Sequence, residues 1–305
     1  MPTTMGAPVA VIGMGLIGAS WAALMSAHGH EVLAHDPRPE AETEARQAIA
    51  TARSALSQLG LDGEGAIRFA GTATEAARGA AFIQETAPER LPLKIELLAE
   101  LDASAPADAV IASSTSSLLL SEMTAECATP ARIVIGHPFN PPHLMPLVEV
   151  FGESAAAARA KAFYEGLGKS VIVLEKEMAG HVANRLGAAL WREALYMLQE
   201  GITDVAGIDR AMTDGPGLRW AEMGPFLTYH LGGGRGGIEH YFRHLGPSQI
   251  ARWQTLGTPD LSEELIGRAI AGVRAETAGR SIADLEAERD RAVLERLKRR
   301  RQPAG

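Results

Sequence analysis

A histidine and a glutamate twelve residues apart are the side chains in this sequence best suited to acid–base chemistry. His137 follows the apolar, β-branched run 133–135, and Glu149 lies within a second apolar run, 147–150. A histidine held by a carboxylate can act as a general base whose tautomer its partner sets. The alternative interpretation is a loop histidine and a strand glutamate that never meet, and spacing alone leaves both open.

Four prolines, at positions 138, 141, 142 and 146, occupy the connector between these two residues. Proline fixes φ and cannot donate a backbone hydrogen bond, so this connector cannot be helical. The sequence therefore predicts a strand ending at Gly136, a stiff extended loop and a second strand that carries Glu149. Such an arrangement can fold the carboxylate back onto the imidazole.

A glycine-rich turn near the start of the chain predicts a dinucleotide site. A short apolar strand at 8–12 precedes the turn, and a helical run at 19–27 and a strand at 32–35 follow it. In this context the first glycine allows a tight turn, the second lets a pyrophosphate approach, and the third lets the helix pack on the strand. The free N–H groups of the helix N-terminus attract the phosphates. The residues of the turn are Gly13, Met14, Gly15, Leu16, Ile17 and Gly18.

The acidic residue after the second strand indicates which dinucleotide would bind. Asp36 lies 18 residues after Gly18, near the separation of roughly 20 expected of the acid that binds a ribose 2′-hydroxyl. Its charge would repel a 2′-phosphate, so the sequence favours NAD over NADP. Arg38 is close enough to meet a 2′-phosphate, although a solvated surface arginine is the simpler interpretation.

Strands and helices alternate through the first half of the chain, which predicts a Rossmann-type, doubly wound and mostly parallel sheet. Ligands of such sheets bind beyond the carboxyl ends of the strands, where the serine run 113–117 is expected to lie. One of these serines should cap a helix at 118–123, and Ser116 could face the ligand. Further strands are predicted at 66–69, 81–84, 110–112 and 170–174, and helices at 40–59, 88–101 and 154–167.

Strand-like runs stop near residue 177, so we predict an NAD-binding domain at 1–177 and an all-helical C-terminal domain at 178–305. On the first predicted helix, 179–200, Asn184 shares one face with Trp191. A buried Asn needs polar partners and could point towards a ligand, whereas a Trp is more often in the core. Helices are also predicted at 204–213 and 281–301, and a flexible glycine-rich loop at 232–237.

Composition excludes several classes of protein. Of the 305 residues 46% are apolar, and the net charge of −8 argues against a general nucleic-acid binder. Cys127 is the only cysteine, so no internal disulfide can form, and a reducing, cytoplasmic location fits. Residues 1–27 carry no charged side chain, but their glycines and the missing basic start argue against a signal peptide or a membrane span. We find no Cys/His cluster with metal-ligand spacing.

Five motifs in order resemble the L-3-hydroxyacyl-CoA dehydrogenase superfamily over nearly the whole chain. They are VIGMGLIG, IQETAPE, SSTSS, GHPFNPPHLMPLVEV and HVANRL. Within the superfamily the chain is most similar to the L-carnitine dehydrogenase branch, and next to the lambda-crystallin and L-gulonate 3-dehydrogenase branch. The stretches LWREAL, GLRWAEMG, TYHLGGG and RSIADLEAERD carry the first likeness.

The resemblance implies an NAD-dependent dehydrogenase that oxidises the C3 hydroxyl of a small L-3-hydroxy acid and forms homodimers through its helical domain. By residue, it assigns His137 as the base, Glu149 as its partner, and Ser116 and Asn184 as contacts of the substrate oxygen; Ser116 and Glu89 also join the cofactor site.

Asn184 departs from the Asp common in the carnitine branch, so the substrate stays open among carnitine, gulonate and 3-hydroxyacyl-CoA. A non-catalytic crystallin-like protein is a further alternative. Carnitine would require an aromatic cage for its cation, and the aromatic candidates are Phe139, Trp191, Trp220, Phe226 and Tyr229.

Overall fold

The computed structural model describes residues 8–301 of the chain. Contacts divide these residues into two units, which are described separately. The first contains the described residues up to Asn184 together with those from Glu286 onward, and the second is Arg185–Leu285. The domain boundary expected at residue 177 stays a prediction.

The first unit is built on one sheet. Its strands are β1 (Val9–Ile12), β2 (Val32–His35), β3 (Ile67–Phe69), β4 (Phe82–Glu85), β5 (Val110–Ser113), β6 (Ile133–Pro138), β7 (Leu147–Gly152) and β8 (Ser170–Val173). The helices along the chain are α1 (Leu16–Ala27), α2 (Ala41–Ser57), α3 (Ala73–Ala77), α4 (Leu91–Ser104), α5 (Leu120–Met123), α6 (Ser154–Gly166), α7 (Ala183–Gln199), α8 (Val205–Thr213), α9 (Pro216–Trp220), α10 (Pro225–Gly232), α11 (Gly237–His244), α12 (Gly246–Trp253), α13 (Glu263–Thr277) and α14 (Ile282–Arg301).

The described sheet runs in the order β3-β2-β1-β4-β5-β6-β7-β8. All neighbouring strands pair in parallel except β6 and β7, which pair antiparallel. The strand order reverses between β1 and β4, which is where dinucleotides bind in sheets of this kind. The predicted Rossmann-type, mostly parallel sheet is confirmed.

Both faces of the sheet are covered, as near-continuous apolar strands require. Val9 and Val11 of β1 belong to one buried cluster, whereas Ala10 and Ile12 belong to a second. Because successive side chains of a strand point to opposite faces, the two clusters lie on opposite sides of the sheet. The all-helical second unit has its own small core, formed by Leu195, Leu198, Leu265, Val205, Ile208 and Ala269.

The first helix after the sheet begins later than the sequence predicts. The pattern indicated a helix from residue 179, but α7 begins at Ala183. Gly180 and His181 have φ angles of 78° and 49°, which a right-handed helix cannot include. The chain therefore turns sharply before α7, and this turn contributes to the candidate site.

Three other local predictions are wrong. Leu119 is the N-cap residue of α5, and no side chain caps that helix, so the expected serine cap is not formed. The predicted glycine loop at 232–237 is instead the end of α10, a 3-10 turn at Gly234–Gly236 and the start of α11. Trp191 is 61% exposed rather than part of the core. None of the helices between residues 8 and 301 has the length and apolar character needed to cross a membrane.

Candidate active site

The predicted meeting of His137 and Glu149 is produced by the antiparallel pair β6–β7. The two residues are direct cross-strand partners, and the Nδ1 atom of His137 lies 2.9 Å from the Oε2 atom of Glu149. Both side chains are buried. Directly opposed residues of an antiparallel pair project to the same face, so the sheet register itself brings the carboxylate to the imidazole.

The second oxygen of Glu149 is held by the turn that precedes α7. Its Oε1 atom accepts hydrogen bonds from the backbone N–H groups of Val182 and Ala183, at 2.9 and 3.1 Å. Burial alone would raise the pKa of Glu149, but the hydrogen bonds from His137, Ala183 and Val182 lower it. The positive end of the α7 dipole adds to this preference for an anion. Glu149 is therefore a carboxylate with both oxygens occupied.

A carboxylate at Nδ1 determines the protonation pattern of the imidazole. Because the oxygens of Glu149 only accept, Nδ1 of His137 carries a hydrogen in this pair. In the neutral ring Nε2 is then the basic nitrogen. The pair has the arrangement of a general base and the acid that orients it.

A cavity of about 350 Å³ adjoins the pair. It is lined by predicted substrate contacts, among them His137, Ser116, Asn184 and Phe139. The ring centroids of Phe139 and His137 are 5.7 Å apart. The remaining lining residues are Ile17, Ser114, Pro138 and Asn140. The cavity thus joins residues from the glycine-rich turn, the serine run and the proline-rich connector.

The glycine-rich turn fits a dinucleotide. Gly13 has φ 96°, and a Cβ there would lie 2.7 Å from the carbonyl oxygen of Thr86. A Cβ on Gly18 would lie 1.9 Å from the carbonyl oxygen of Gly13, whereas one on Gly15 would meet nothing within 4 Å. The first and third glycines are therefore required by packing, and the second leaves open space at the N-terminus of α1, where a pyrophosphate would approach.

Asp36 is fixed at the end of β2 next to this turn. Its Oδ2 atom accepts from the backbone N–H of Met14 at 2.8 Å, and its Oδ1 atom accepts from the backbone and Nε of Arg38. Burial would raise the pKa of Asp36, but these hydrogen bonds and the charge of Arg38 lower it. Arg38 also pairs with Glu44, at 3.1 Å. Arg38, which the sequence predicted to be a solvated surface residue, thus forms an ion pair with Asp36, the candidate for binding the ribose.

Glu89 organises the serine run. Its Oε1 atom accepts from the hydroxyl of Thr115 at 2.6 Å and from the backbone N–H groups of Ser116 and Ser117 at 2.9 and 3.0 Å. Burial acts to raise the pKa of Glu89, but the bond from Thr115, the charge of Lys94 and the bonds from Ser117 lower it to about 2. The predicted cofactor residue Glu89 therefore fixes the loop that presents Ser116.

Two residues near the pair were not identified from the sequence. The ring of His181 lies 4.9 Å from that of His137, and its Nε2 atom is 3.1 Å from the carbonyl oxygen of Thr115. Ser114 lines the cavity beside Ser116. The signals were present, since Ser114 belongs to the serine run expected at the ligand edge of the sheet and His181 opens HVANRL. The approach of His181 to His137 depends on the turn before α7, which the sequence did not predict.

The aromatic residues of the second unit line two separate cavities. Phe226 and Tyr229 line a cavity of about 610 Å³ together with Tyr241 and other aromatic side chains, and the rings of Tyr229 and Tyr241 are 4.8 Å apart. Trp191 lines a cavity of about 330 Å³. Trp220 is the last residue of α9 and is exposed.

Two family profiles match most of the chain. Residues 8–178 match the profile described as 3-hydroxyacyl-CoA dehydrogenase, NAD binding domain. Residues 180–265 match the profile described as 3-hydroxyacyl-CoA dehydrogenase, C-terminal domain.

Individual relatives are similar over nearly their full lengths. The chain is 51% identical over 297 residues to the L-carnitine dehydrogenase of Streptomyces griseus, which covers 95% of this chain and 89% of that protein. It is 45% identical to the L-carnitine dehydrogenase of a Pseudomonas species, covering 93% and 91%. A solved structure of 5-formyl-3-hydroxy-2-methylpyridine 4-carboxylic acid 5-dehydrogenase, an NAD+-dependent dismutase, matches with a TM-score of 0.81 at 25% identity, covering 99% of this chain and 100% of that one.

Proposed function

Because the chain belongs to the 3-hydroxyacyl-CoA dehydrogenase family and is an NAD-dependent dehydrogenase, we propose that it oxidises the C3 hydroxyl of L-carnitine to give 3-dehydrocarnitine. The observation that carries this proposal is the buried His137–Glu149 pair beside a polar cavity. The similarity to L-carnitine dehydrogenases over 95% of the chain supports the choice of substrate.

In this proposal His137 is the general base. Its Nε2 atom removes the proton of the substrate hydroxyl, and the ring becomes an imidazolium. Glu149 keeps Nδ1 protonated and stabilises the new positive charge. The carboxylate does not itself take the proton, because three hydrogen bonds favour its charged form.

Ser116 and Asn184 are proposed to hold the reacting oxygen. Both line the cavity with His137. A hydroxyl and a side-chain amide can each donate a hydrogen bond to an oxygen whose charge increases as its proton leaves. Glu89 supports this role indirectly, because it fixes the backbone of Ser116 at 2.9 Å.

The residues proposed to hold NAD are Gly13, Met14, Gly15, Leu16, Ile17, Gly18, Asp36, Glu89 and Ser116. When bound there, NAD+ would supply the acceptor for the hydride from C3. The N-terminus of α1 would bind the pyrophosphate, and Asp36 the adenosine ribose. Ile17 of the turn lines the same cavity as His137, so the proposed cofactor residues and the proposed base share one cavity.

A quaternary ammonium has no N–H to donate, so it cannot be held by hydrogen bonds, whereas an aromatic surface attracts it through cation–π interactions. Phe139 beside His137, Trp191, and the pair Phe226 and Tyr229 are the proposed candidates, with Trp220 as a further one. Phe226 and Tyr229 share a cavity of the helical unit with other aromatic side chains.

Two other substrates would use the same pair. L-gulonate lacks a cation and would make the aromatic residues ordinary packing. A 3-hydroxyacyl-CoA would require basic side chains for the phosphates of CoA, and no Lys or Arg lines the described cavity next to His137. A structural, crystallin-like role would leave the buried pair without a use.

We also propose a homodimer formed through the helical unit. Several large apolar side chains there, which the cation site does not use, are exposed in the single chain, including Ile202 at 70%, Leu261 at 63% and Leu231 at 58%. Apolar surface of this kind usually marks an interface. The expected cytoplasmic location rests on the single cysteine and stays a prediction.

The deciding experiment follows NADH formation at alkaline pH with L-carnitine, L-gulonate and L-3-hydroxybutyryl-CoA in parallel. Alkaline pH favours oxidation because the reaction releases a proton. A clear preference for L-carnitine supports the proposal. If no NADH forms with L-carnitine but another compound is oxidised, L-carnitine is rejected as the substrate, and the proposed oxidation of a 3-hydroxyl group is retained. Turnover of any of the three would rule out a purely structural role.

A further inference from the structure

Two buried polar side chains and one half-buried serine form a hydrogen-bonded chain that ends at the candidate active-site cavity. The hydroxyl of Tyr164 on α6 lies 2.6 Å from Oε1 of Gln84 on β4. The Nε2 atom of Gln84 lies 2.8 Å from the hydroxyl oxygen of Ser114. Tyr164 and Gln84 are fully buried, whereas Ser114 lines the cavity with His137.

Two backbone carbonyls fix which way the Gln84 amide points. Its Nε2 atom is 3.4 Å from the carbonyl oxygens of both Ala112 and Gly136. An amide oxygen in that position would face two other acceptors, so the nitrogen must occupy it. Oε1 consequently faces Tyr164 and accepts its hydrogen. Burial raises the pKa of Tyr164, which keeps the phenol protonated as a donor.

The strand that carries His137 makes room for this chain. A Cβ on Gly136 would lie 2.0 Å from the hydroxyl oxygen of Tyr164. Gly136 is therefore required by the phenol that orients Gln84, and it directly precedes the general base. The chain of Tyr164, Gln84 and Ser114 therefore packs directly against β6, the strand that carries His137.

The orientation of Gln84 determines what Ser114 can do. Because Gln84 donates to the Ser114 oxygen, the serine hydrogen must be donated elsewhere. Among the described residues no hydrogen bond donated by this hydroxyl is found, whereas the residue lines the cavity. The described lining of that cavity includes no Lys or Arg. A carboxylate bound there would have to be held by neutral donors.

We propose that Ser114 donates a hydrogen bond to the carboxylate of the substrate, and that Gln84 and Tyr164 are positioning residues that direct this donor into the cavity. The inference rests on the proposed oxidation of a free 3-hydroxy acid and extends it. It assigns Ser116 and Asn184 to the reacting hydroxyl and Ser114 to the acid group. A substrate without a carboxylate would gain nothing from Ser114.

The test compares Ser114→Ala with the wild-type enzyme and with Ser104→Ala, a serine at the end of α4 whose hydroxyl bonds to a helix carbonyl. We expect Ser114→Ala to raise the KM of L-carnitine by about 10-fold, the size typical of a lost hydrogen bond to a charged group. The Kd of NADH, measured by its fluorescence, should change by less than about twofold. Ser104→Ala should change neither, and Ser114→Thr, which keeps the hydroxyl, should restore part of the affinity.

A ligand without the acid group makes the test specific. The 2-hydroxypropyl-trimethylammonium ion keeps the hydroxyl and the cation of carnitine and lacks the carboxylate. Its inhibition constant against L-carnitine should be equal for the wild type and Ser114→Ala. A weaker Kd for NADH with an unchanged KM for L-carnitine would assign Ser114 to the cofactor and overturn the proposal. Equal losses for L-carnitine, the cation and NADH would also overturn it.

Tyr164→Phe provides an independent measurement if Ser114→Ala fails to fold. It removes the donor to Gln84 and leaves Ser114 in place. We expect a KM for L-carnitine raised about threefold, as for a loosened neutral hydrogen bond, with the Kd of NADH unchanged. A fall in thermal stability with an unchanged KM would show that Tyr164 is only structural and would reject its positioning role.

Failure of the proposed function can be distinguished from failure of this inference. If the wild-type protein ignores L-carnitine but oxidises L-gulonate, the proposed substrate is wrong, and the same comparison of KM and NADH Kd is made with L-gulonate. An unaltered KM for the acid that is oxidised would then reject the role of Ser114. A wild-type protein that oxidises none of these acids would reject both proposals.

Discussion

His137 and Glu149 are direct partners across the antiparallel strands β6 and β7, and their side chains meet at 2.9 Å. The other carboxylate oxygen is bound by two backbone N–H groups before α7. The imidazole of His137 is therefore oriented by a carboxylate that is itself held from two sides. Such a carboxylate cannot turn away when the imidazole becomes charged.

Replacing this carboxylate should impair chemistry and spare the cofactor. We expect Glu149→Gln to lower kcat by about 100-fold or more, because the amide can present N–H to Nδ1 and favour the wrong tautomer. The Kd of NADH should stay at the wild-type value. Steady-state kinetics and NADH fluorescence measure the two quantities. Near-normal turnover in this variant would remove the pair from the mechanism.

The ion pair beside the glycine-rich turn should control cofactor choice. Asp36→Ala removes a charge that repels a 2′-phosphate and releases the Nε atom of Arg38, which bonds to that carboxylate at 3.1 Å in the wild type; the pairing of Arg38 with Glu44 remains. We expect the ratio of kcat/KM for NAD+ to that for NADP+ to fall by about 10-fold or more. The double variant Asp36→Ala/Arg38→Ala should lose the gain in NADP+ use. An unchanged ratio would exclude Asp36 from ribose recognition.

The two aromatic cavities of the helical unit can be distinguished by substitution. Tyr229→Ala and Trp191→Ala alter separate cavities. At the site that receives the trimethylammonium we expect the KM of L-carnitine to rise roughly 3- to 30-fold, the range of a cation–π contact. L-3-hydroxybutyrate, which has no cation, should be unaffected by the same variant. If both variants raise the KM of L-carnitine and of L-3-hydroxybutyrate equally, these aromatic residues contribute only to packing.

A methyl group at residue 136, next to His137, should disturb the hydrogen-bonded chain of Tyr164, Gln84 and Ser114. The Cβ of Gly136→Ala would lie 2.0 Å from the Tyr164 oxygen and 2.9 Å from its Cζ. We expect the free energy of unfolding to fall by about 1–3 kcal/mol, as for other overpacked sites. Adding Tyr164→Phe should recover part of the loss, because it removes the nearer atom. Gly166→Ala, whose Cβ meets nothing within 4 Å, is the control in urea unfolding.

Acid should weaken the serine loop through Glu89. The folded-state pKa is lowered from 4.5 to about 2, so the native state holds this proton less tightly than the unfolded chain. The resulting stabilisation is complete above the ordinary pKa and is lost as the pH falls from about 4.5 towards 2. The free energy of unfolding can be measured in urea at roughly pH 6 to 3. It should fall less steeply with pH for Glu89→Gln than for the wild type. Glu96→Gln on α4 should behave as the wild type, and identical slopes for all three would remove Glu89 from the acid response.

Much of the fold could be predicted because its signals are local. The glycines at 13, 15 and 18 stand between a strand and a helix, and this local spacing alone predicts the turn, although the contact that requires Gly13 comes from Thr86. The prolines between His137 and Glu149 exclude a helix by covalent geometry alone. The two apolar runs then had few ways to pair, and the antiparallel hairpin that forms is the one that places both side chains on one face.

Other features depended on contacts that no local pattern encodes. The positive φ angles of Gly180 and His181 interrupt an otherwise helical sequence and bring two N–H groups to Glu149. The sequence offered the aromatic residues as candidates for a single cage, but Trp191 and Tyr229 line different cavities.

The sequence by itself determined the class of sheet, the glycine-rich turn and the two strands that carry His137 and Glu149, since strand alternation, glycine spacing and proline restraint act over short distances. Only the tertiary structure decided which polar groups lie next to His137 and the cavity that it lines. Tyr164 and Gln84 are 80 residues apart, and Gln84 and Ser114 are 30 apart. Their roles follow from burial, because a buried donor or acceptor must find a partner in space, wherever that partner stands in the chain.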